Sequence, residues 1–285
     1  MKKNLNNELE NAFLAQDEER VKSLLTAGAD KNRRVRNELL LAYCSVDDRP
    51  ESIKVTKMLL NNGANPNWVD PDPSWYETPL MESLYYFNFN LAQLLIDNGA
   101  KVNMHSSGDT PLTWFAGRTD DGHLATIKFL HKNGANLDAK NYKGQTALMK
   151  VAGFDSIISS DLFIKEKTDW LIEPIEYLLS KGAKVNLRDK DGKTALLHSL
   201  GQNWSKYYSW KNETALQYKD NFSAAFYYEI PKILLSNGAH VGIKDKSGKN
   251  AMNYAAADEE KMDLFARAID DSNKFLRRKI VVMSR

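Results

Sequence analysis

The sequence predicts an all-α, helical-repeat solenoid with short β-hairpin-like loops, and three observations predict it. Six times a pair of large apolar residues runs into Gly-Ala: LLTAGA, LLNNGA, LLIDNGA, FLHKNGA, LLSKGA and LLSNGA, with glycines at Gly28, Gly63, Gly99, Gly134, Gly182 and Gly238. The separations are 35, 36, 35, 48 and 56 residues, so one unit recurs and its later copies are stretched. After four of the copies a second glycine precedes Thr or Asn and a short apolar run: SSGDTPL (106–112), YKGQTAL (142–148), KDGKTAL (190–196) and KSGKNAM (246–252). A period in the thirties is the mark of stacked supersecondary units, each burying its apolar side on its neighbours.

Each element follows from this punctuation. Residues 5–27 read as two helices without an entry loop, the second (Glu18 to Thr26) carrying Val21, Leu24 and Leu25, while Asn6, Asn7, Glu10 and Asn11 suit a cap facing water. In later copies Leu-Leu ends a helix, and the following glycine suits the left-handed conformation of a C-cap. Thr, or Asn250 in the last copy, is placed to accept bonds from the free amides of the next helix start, and Pro79 and Pro111 stand where a missing N–H costs nothing. A short helix, a turn and a second helix return the chain to Leu-Leu.

This pattern resembles the ankyrin repeat, whose signature is T-P-L-H-x-A followed by a second helix ending L-L-x-x-G-A. The likeness runs from about Leu5 to Ile269. It implies a single array over 1–285: an N-terminal cap (1–30), repeats 31–65, 66–101, 102–136, 137–184 and 185–240, and a C-terminal cap and tail (241–285). One departure is systematic. The family's His after T-P-L is replaced by Met81, Thr113, Met149, Leu197 and Asn253, and the copy at Asn37-Glu38-Leu39 has no Thr-Pro. Since that His ties neighbouring loops, looser loops are expected.

Irregularities are where an array of this kind carries its own chemistry. Thr146 to Gly182 and Thr194 to Gly238 exceed the 21 residues between Thr78 and Gly99 by 15 and 23. This locates insertions at 154–169 and 202–227, the second rich in aromatics, among them Trp204, Tyr207, Tyr208, Trp210, Phe226 and Tyr227. Aromatics bury roughly 150–250 Å² each, so these either pack on the repeats or are covered by a partner. A third irregularity, ANPNWVDPDPSWYE (64–77), carries Trp68, Trp75 and Tyr76 on a proline-stiffened, acidic loop.

The resemblance also implies that the short first helices face an inner groove. The residue two after the Leu of each T-P-L gives the row Leu41, Glu82, Trp114, Lys150, His198 and Tyr254, with Tyr85 and Tyr86 a turn further on. Trp and Tyr are enriched at interface hot spots. The candidate partner-binding residues are therefore Glu82, Tyr85, Tyr86, Trp114, Lys150, His198 and Tyr254, with Trp68, Trp75 and Tyr76 on the loop and Trp204, Tyr207, Tyr208 and Trp210 on the insertion.

Composition narrows the function classes. Charged residues make up 27% and the formal net charge is +2, giving no general attraction to nucleic acid or membrane. The one cysteine, Cys44, rules out a disulfide framework and points to a reducing compartment. The start MKKNLNNELENAFLAQ has no apolar stretch of a secretory signal, and no segment approaches about twenty apolar residues. A cytoplasmic location is expected, with signal-independent export as the alternative. The five histidines are scattered over separate repeats; His123 and His131 alone share a helix, two turns apart. No metal-ligand spacing, nucleophile elbow or phosphate-cradling glycine motif occurs, so neither an enzyme, a metal nor a cofactor is expected. The expected function is a non-catalytic protein–protein interaction module, monomeric when free, that sequesters or inhibits a partner protein, as an immunity protein covers a toxin. The alternative is an adaptor or secreted bacterial effector recruiting a host protein. A remote alternative is a single-stranded nucleic-acid binder, since aromatics stack bases. The C-terminal KFLRRKIVVMSR (274–285) is expected to seal the last repeat as an extra helix or tail, or to serve as a basic recognition tail.

Overall fold

The computed structural model describes residues 2–15, 17–32, 34–35, 38–41, 50–69, 78–118, 123–153, 169–201 and 225–283. Cys44, Trp75 and Tyr76, the first insertion up to residue 168, and the second up to residue 224 with Trp204, Tyr207, Tyr208 and Trp210 lie outside them. The chain divides into two compact units, Met1–Pro111 with Lys132–Ala135, and Leu112–His131 with Asn136–Arg285.

In the first unit α1 (Lys2–Leu14) packs against α2 (Glu18–Thr26), burying Leu9, Phe13, Val21 and Leu24. The Asp17 side chain caps α2 by accepting from the Arg20 amide at 3.0 Å, and the Arg20 guanidinium pairs with Glu8. A two-stranded antiparallel hairpin follows, β1 (Arg34–Val35) with β2 (Glu38–Leu39), in which Arg34 faces Leu39 and Val35 faces Glu38. Next come α3 (Pro50–Asn61), α4 (Pro79–Tyr85) and α5 (Phe89–Asp97). Thr78 caps α4, with Pro79 at its first position, and Asn88 caps α5. The turn between α4 and α5 is sharp enough to force Phe87 to φ 56°.

The second unit holds α6 (Pro111–Ala116) from Leu112 on and α7 (His123–Lys132) up to His131. It continues with α8 (Ala147–Gly153), α9 (Asp169–Ser180), α10 (Ala195–Leu200), a π-helical turn (Ala225–Glu229), α11 (Ile230–Ser236), α12 (Ala251–Ala255) and α13 (Glu259–Met283). Short and long helices alternate. The short ones pack side by side, α8 on α10 and α10 on α12, and each long one backs its own repeat. Their shared core includes Leu148, Val151, Ile175, Leu178, Leu196, Leu200, Ile230 and Phe265. Thr146 and Thr194 accept from the amides three residues on, at 3.4 Å each, and Asn250 forms a reciprocal capping box with Asn253. The last helix runs without a break from the final repeat to Met283, so the backbone of the C-terminal segment continues that helix. The end of the second insertion packs inward. Tyr227 is buried, and the Lys261 ammonium lies 4.5 Å from its ring centroid while donating to the Leu200 carbonyl at 2.7 Å. Lys261 is itself 7% exposed, and burial holds its pKa below the usual lysine range.

The six Gly-Ala glycines have φ between 78° and 94°, the left-handed C-cap expected of them. Just beyond the first five of these six caps an Asn or Asp reaches to the following repeat, so the loops there are tied by groups other than the missing His. In the first unit Asn32 Oδ1 accepts from the Asn65 amide at 2.7 Å. Asn67 accepts from the Lys101 amide at 2.7 Å and donates to the Gly99 carbonyl at 2.8 Å, and Asn103 donates to the Gly134 carbonyl at 3.0 Å. In the second unit Asp138 accepts from the Lys184 amide at 2.9 Å, and Asn186 joins the Gly238 carbonyl at 2.8 Å and the His240 amide at 2.9 Å. Each rung satisfies backbone groups that a helix end leaves free.

Candidate functional site

The densest polar geometry lies in the second unit, where three successive hairpins meet the N-terminal ends of short helices. Each hairpin is built around one side chain. Asn141 Oδ1 accepts from the amides of Lys143 and Gln145 at 3.0 and 2.9 Å. Asp189 Oδ1 accepts from Asp191 and Lys193 at 2.9 and 2.8 Å, and Asp245 Oδ1 from Ser247 and Lys249 at 2.8 and 2.9 Å. This closes a tight turn on each carboxylate or amide. Backbone bonds then lock the hairpins together: the Lys190 amide donates to the Lys143 carbonyl at 3.0 Å and the Lys246 amide to the Asp191 carbonyl at 2.8 Å.

Two residues of the expected row reach back, nine positions, to these turns. His198 Nε2 meets Asp189 Oδ2 at 2.7 Å, and the Tyr254 hydroxyl donates to Asp245 Oδ2 at 2.7 Å. Burial pushes the Asp189 carboxyl up, but the His198 bond and the Lys193 and Asp191 amides outweigh it and hold the group below the usual range. At Asp245 burial is again opposed, by bonds from Tyr254, Ser247 and two backbone amides, which bring its pKa down to about 2. Burial, and then the same bond to Asp245, raise the Tyr254 hydroxyl well above the usual phenol range. Both carboxylates are thus ionised at neutral pH and committed to internal donors.

The other row members in this unit are half-buried. Trp114 packs edge-on against Phe115 at 4.7 Å between ring centroids, and the Arg118 guanidinium lies 4.9 Å from its ring. Lys150 runs along Gly117 so closely that a Cβ there would meet its Cε at 2.5 Å; only glycine leaves it that path. Between the hairpin edge and α8 and α10 lies an open cleft of about 480 Å³, lined by Tyr142, Lys143, Met149, Gly153, Lys193 and His198 among others. Tyr142, at its mouth, is 56% exposed. The sequence reading missed Tyr142; its signal was its place at a hairpin tip, in the column that holds Lys190 and Lys246 in the next two copies.

In the first unit the row behaves differently. Leu41 is buried, so it does not stand open in a groove, and Glu82 is only 4% exposed, which corrects the expectation that it faces a partner: its stretch of α4 is packed in, with Leu80, Met81 and Leu84 also buried. Tyr85 and Tyr86 are exposed, edge-to-face at 5.1 Å, and Phe87 beside them, absent from the expected set, is exposed as well. Trp68 is half-buried. Among the described residues no cluster of His, Cys, Asp and Glu could hold a metal ion, and no helix is long and apolar enough to cross a membrane.

Comparison with known proteins bears on this arrangement. The family model for ankyrin repeats, in three copies, matches residues 39–141 and 88–163. Two putative ankyrin repeat proteins of Acanthamoeba polyphaga mimivirus, L86 and L92, are 32% and 31% identical over 130 and 152 residues. These matches take in 46% and 47% of this chain, which spans 20% and 33% of those relatives' length. The ankyrin repeat domain of Bcl-3, described as a member of the IkappaB protein family, superposes with a TM-score of 0.63 at 17% identity, covering 91% of this chain and 97% of that one. At that identity the likeness is one of fold.

Proposed function

The chain is an ankyrin-repeat protein, and from that premise we propose that it binds a partner protein on the face formed by the hairpins and short helices of the second unit, and that it sequesters or inhibits that partner by covering it. Ankyrin repeats are as a class non-catalytic interaction modules with protein partners. The observation that carries the reading is the cleft of about 480 Å³ with Tyr142 exposed at its mouth and Trp114, Lys150, His198 and Tyr254 half-buried along the short helices of the same unit. An exposed aromatic beside a preformed recess on a rigid, cross-bonded frame is what an interface anchor needs, because little ordering entropy is lost on docking. Asp189 and Asp245 hold His198 and Tyr254 in place, so the face is set before a partner arrives.

A recruiting adaptor is the second reading, and one observation favours it. Phe275 on α13 is 52% exposed between two further recesses of the same unit, of about 370 and 350 Å³, and an adaptor needs a second surface. Capture of a partner from extracts of the source cells by the immobilised chain tests the main reading. Tyr142→Ala combined with Trp114→Ala is expected to lose capture while the thermal unfolding midpoint stays close to that of the parent. Undiminished capture would refute the proposed face, and capture that needs Phe275 but neither aromatic would move the function to the other surface.

A further inference from the structure

Although the whole chain carries a formal charge of only +2, its charge is not spread evenly. Segments 138–143, 184–193 and 240–249, which hold the three bonded hairpins, contain nine Lys and Arg against four Asp. Their geometry sorts these charges. Asp189 and Asp245 turn inward and are spent on His198, Tyr254 and backbone amides, and Asp138 accepts from the Lys184 amide. Facing outward and exposed are Lys140, Lys143, Arg188, Lys190, Lys244, Lys246 and Lys249, with Asp191 the exposed carboxylate among them. The backbone bonds from Lys190 to Lys143 and from Lys246 to Asp191 hold the tips in register, so Tyr142, Lys190 and Lys246 form one column and Lys140, Arg188 and Lys244 another. The second column is pinned as well: Lys140 Nζ donates to the Arg188 carbonyl and Arg188 to the Lys244 carbonyl, both at 2.8 Å.

We propose that this cationic hairpin edge recognises an acidic, extended segment of a partner protein, with an apolar side chain of that segment resting on the exposed Tyr142 ring at the mouth of the adjoining cleft. The inference rests on the protein-binding reading above and names its partner's chemistry. Helical-pair layers lie roughly 8–10 Å apart, so three hairpins span about 20 Å, the length of six or seven residues of extended chain. Carboxylates at about every third position of such a segment would meet the ammonium groups of successive tips. Charge complementarity of this kind raises the association rate and selects partners, and it is weakened by salt. Asp191 argues against a polyphosphate chain, because it stands exposed amid the cations and would repel every phosphate that crossed it. A peptide can leave an uncharged residue there. The Tyr142 ring, exposed at the mouth of the otherwise largely polar cleft, also offers an apolar contact that a sugar-phosphate backbone does not use.

The test uses the full chain and a fluorescein-labelled peptide of repeated Glu-Glu-Leu units, with its Lys-Lys-Leu counterpart and labelled oligothymidylate as separate arms. Fluorescence anisotropy is expected to show binding of the acidic peptide alone, weakening about tenfold or more as salt screens the contacts. Lys190→Glu with Lys246→Glu should weaken it at least about tenfold, and the matching Gln variants by less, because reversal adds repulsion to lost attraction. Both positions are exposed, and circular dichroism verifies that the variants fold. No binding of the acidic peptide, equal binding by the charge-reversed variant, or tighter binding of oligothymidylate would each overturn the proposal. Capture of the partner separates this from the reading beneath it. If Lys190→Glu with Lys246→Glu leaves capture intact while Tyr142→Ala with Trp114→Ala abolishes it, the acidic-segment inference falls and the binding face stands.

Discussion

Tyr254 carries two roles that its side chain separates by atom: the ring lies on the proposed binding face, and the hydroxyl donates to Asp245 at the base of the last hairpin. Tyr254→Phe therefore keeps the ring and deletes the bond. A hydrogen bond to a charged acceptor is worth about 1.5–3 kcal/mol, and some of that is recovered by water at this half-exposed site, so a loss of about 1–2 kcal/mol in urea unfolding is expected. The pH dependence carries a signature. Asp245 titrates at about 2 in the folded chain against 3.8 for an ordinary Asp. A carboxyl lowered by folding adds stability above the unfolded pKa and forfeits it as pH falls through the folded value. The parent chain should lose this contribution between about pH 4 and 2, and Tyr254→Phe should lose less over the same window, since its Asp245 pKa sits closer to the ordinary one. Identical slopes would mean that the hydroxyl does not stabilise the carboxylate. The sequence placed Tyr254 and His198 at equivalent positions of the short helices, because the spacing from each Thr or Asn cap is local. It did not reveal their bonds to Asp245 and Asp189, which depend on how a hairpin folds down over the start of its own short helix.

At the scale of the element, the rungs beyond each helix cap hold one repeat to the next. Asn186 makes the fullest of those described in the second unit, accepting from the His240 amide and donating to the Gly238 carbonyl. Asn186→Ala should cost about 1–2 kcal/mol, one net hydrogen bond or two, measured by urea unfolding. Asn186→Asp keeps the acceptor and loses the donor, as Asp138 does one repeat earlier, and should cost less; equal losses would show that the Gly238 bond carries the rung. The elements themselves were legible. Leu-Leu before Gly-Ala marks helix ends, and Thr or Asn three residues before an amide marks helix starts, because capping is satisfied within one turn. The continuous α13 was harder to read, since KFLRRKIVVMSR has helical residues but no repeat frame to extend. The burial of Glu82 was not legible at all: the spacing that leaves Lys150 and His198 half-buried puts Glu82 among packed neighbours, and packing is set by the adjoining elements rather than by position in the unit.

At the scale of the molecule, repeats that bury their apolar sides on each other give function to what is left over: hairpin tips, short-helix faces and the recesses between them. In the second unit those leftovers are cationic at the edge and aromatic at the mouth of the cleft, a pairing that neither the net charge of +2 nor the repeat signature discloses, because the compensating carboxylates are hidden only once the hairpins close. That surface is where we propose that a partner sits. Hydrogen–deuterium exchange of the full chain, free and with its captured partner, tests this most directly. Protection gathered on residues 140–153, 188–201 and 244–255 is the predicted result, and protection confined to α11 and α13, with those segments exchanging as in the free chain, would contradict it.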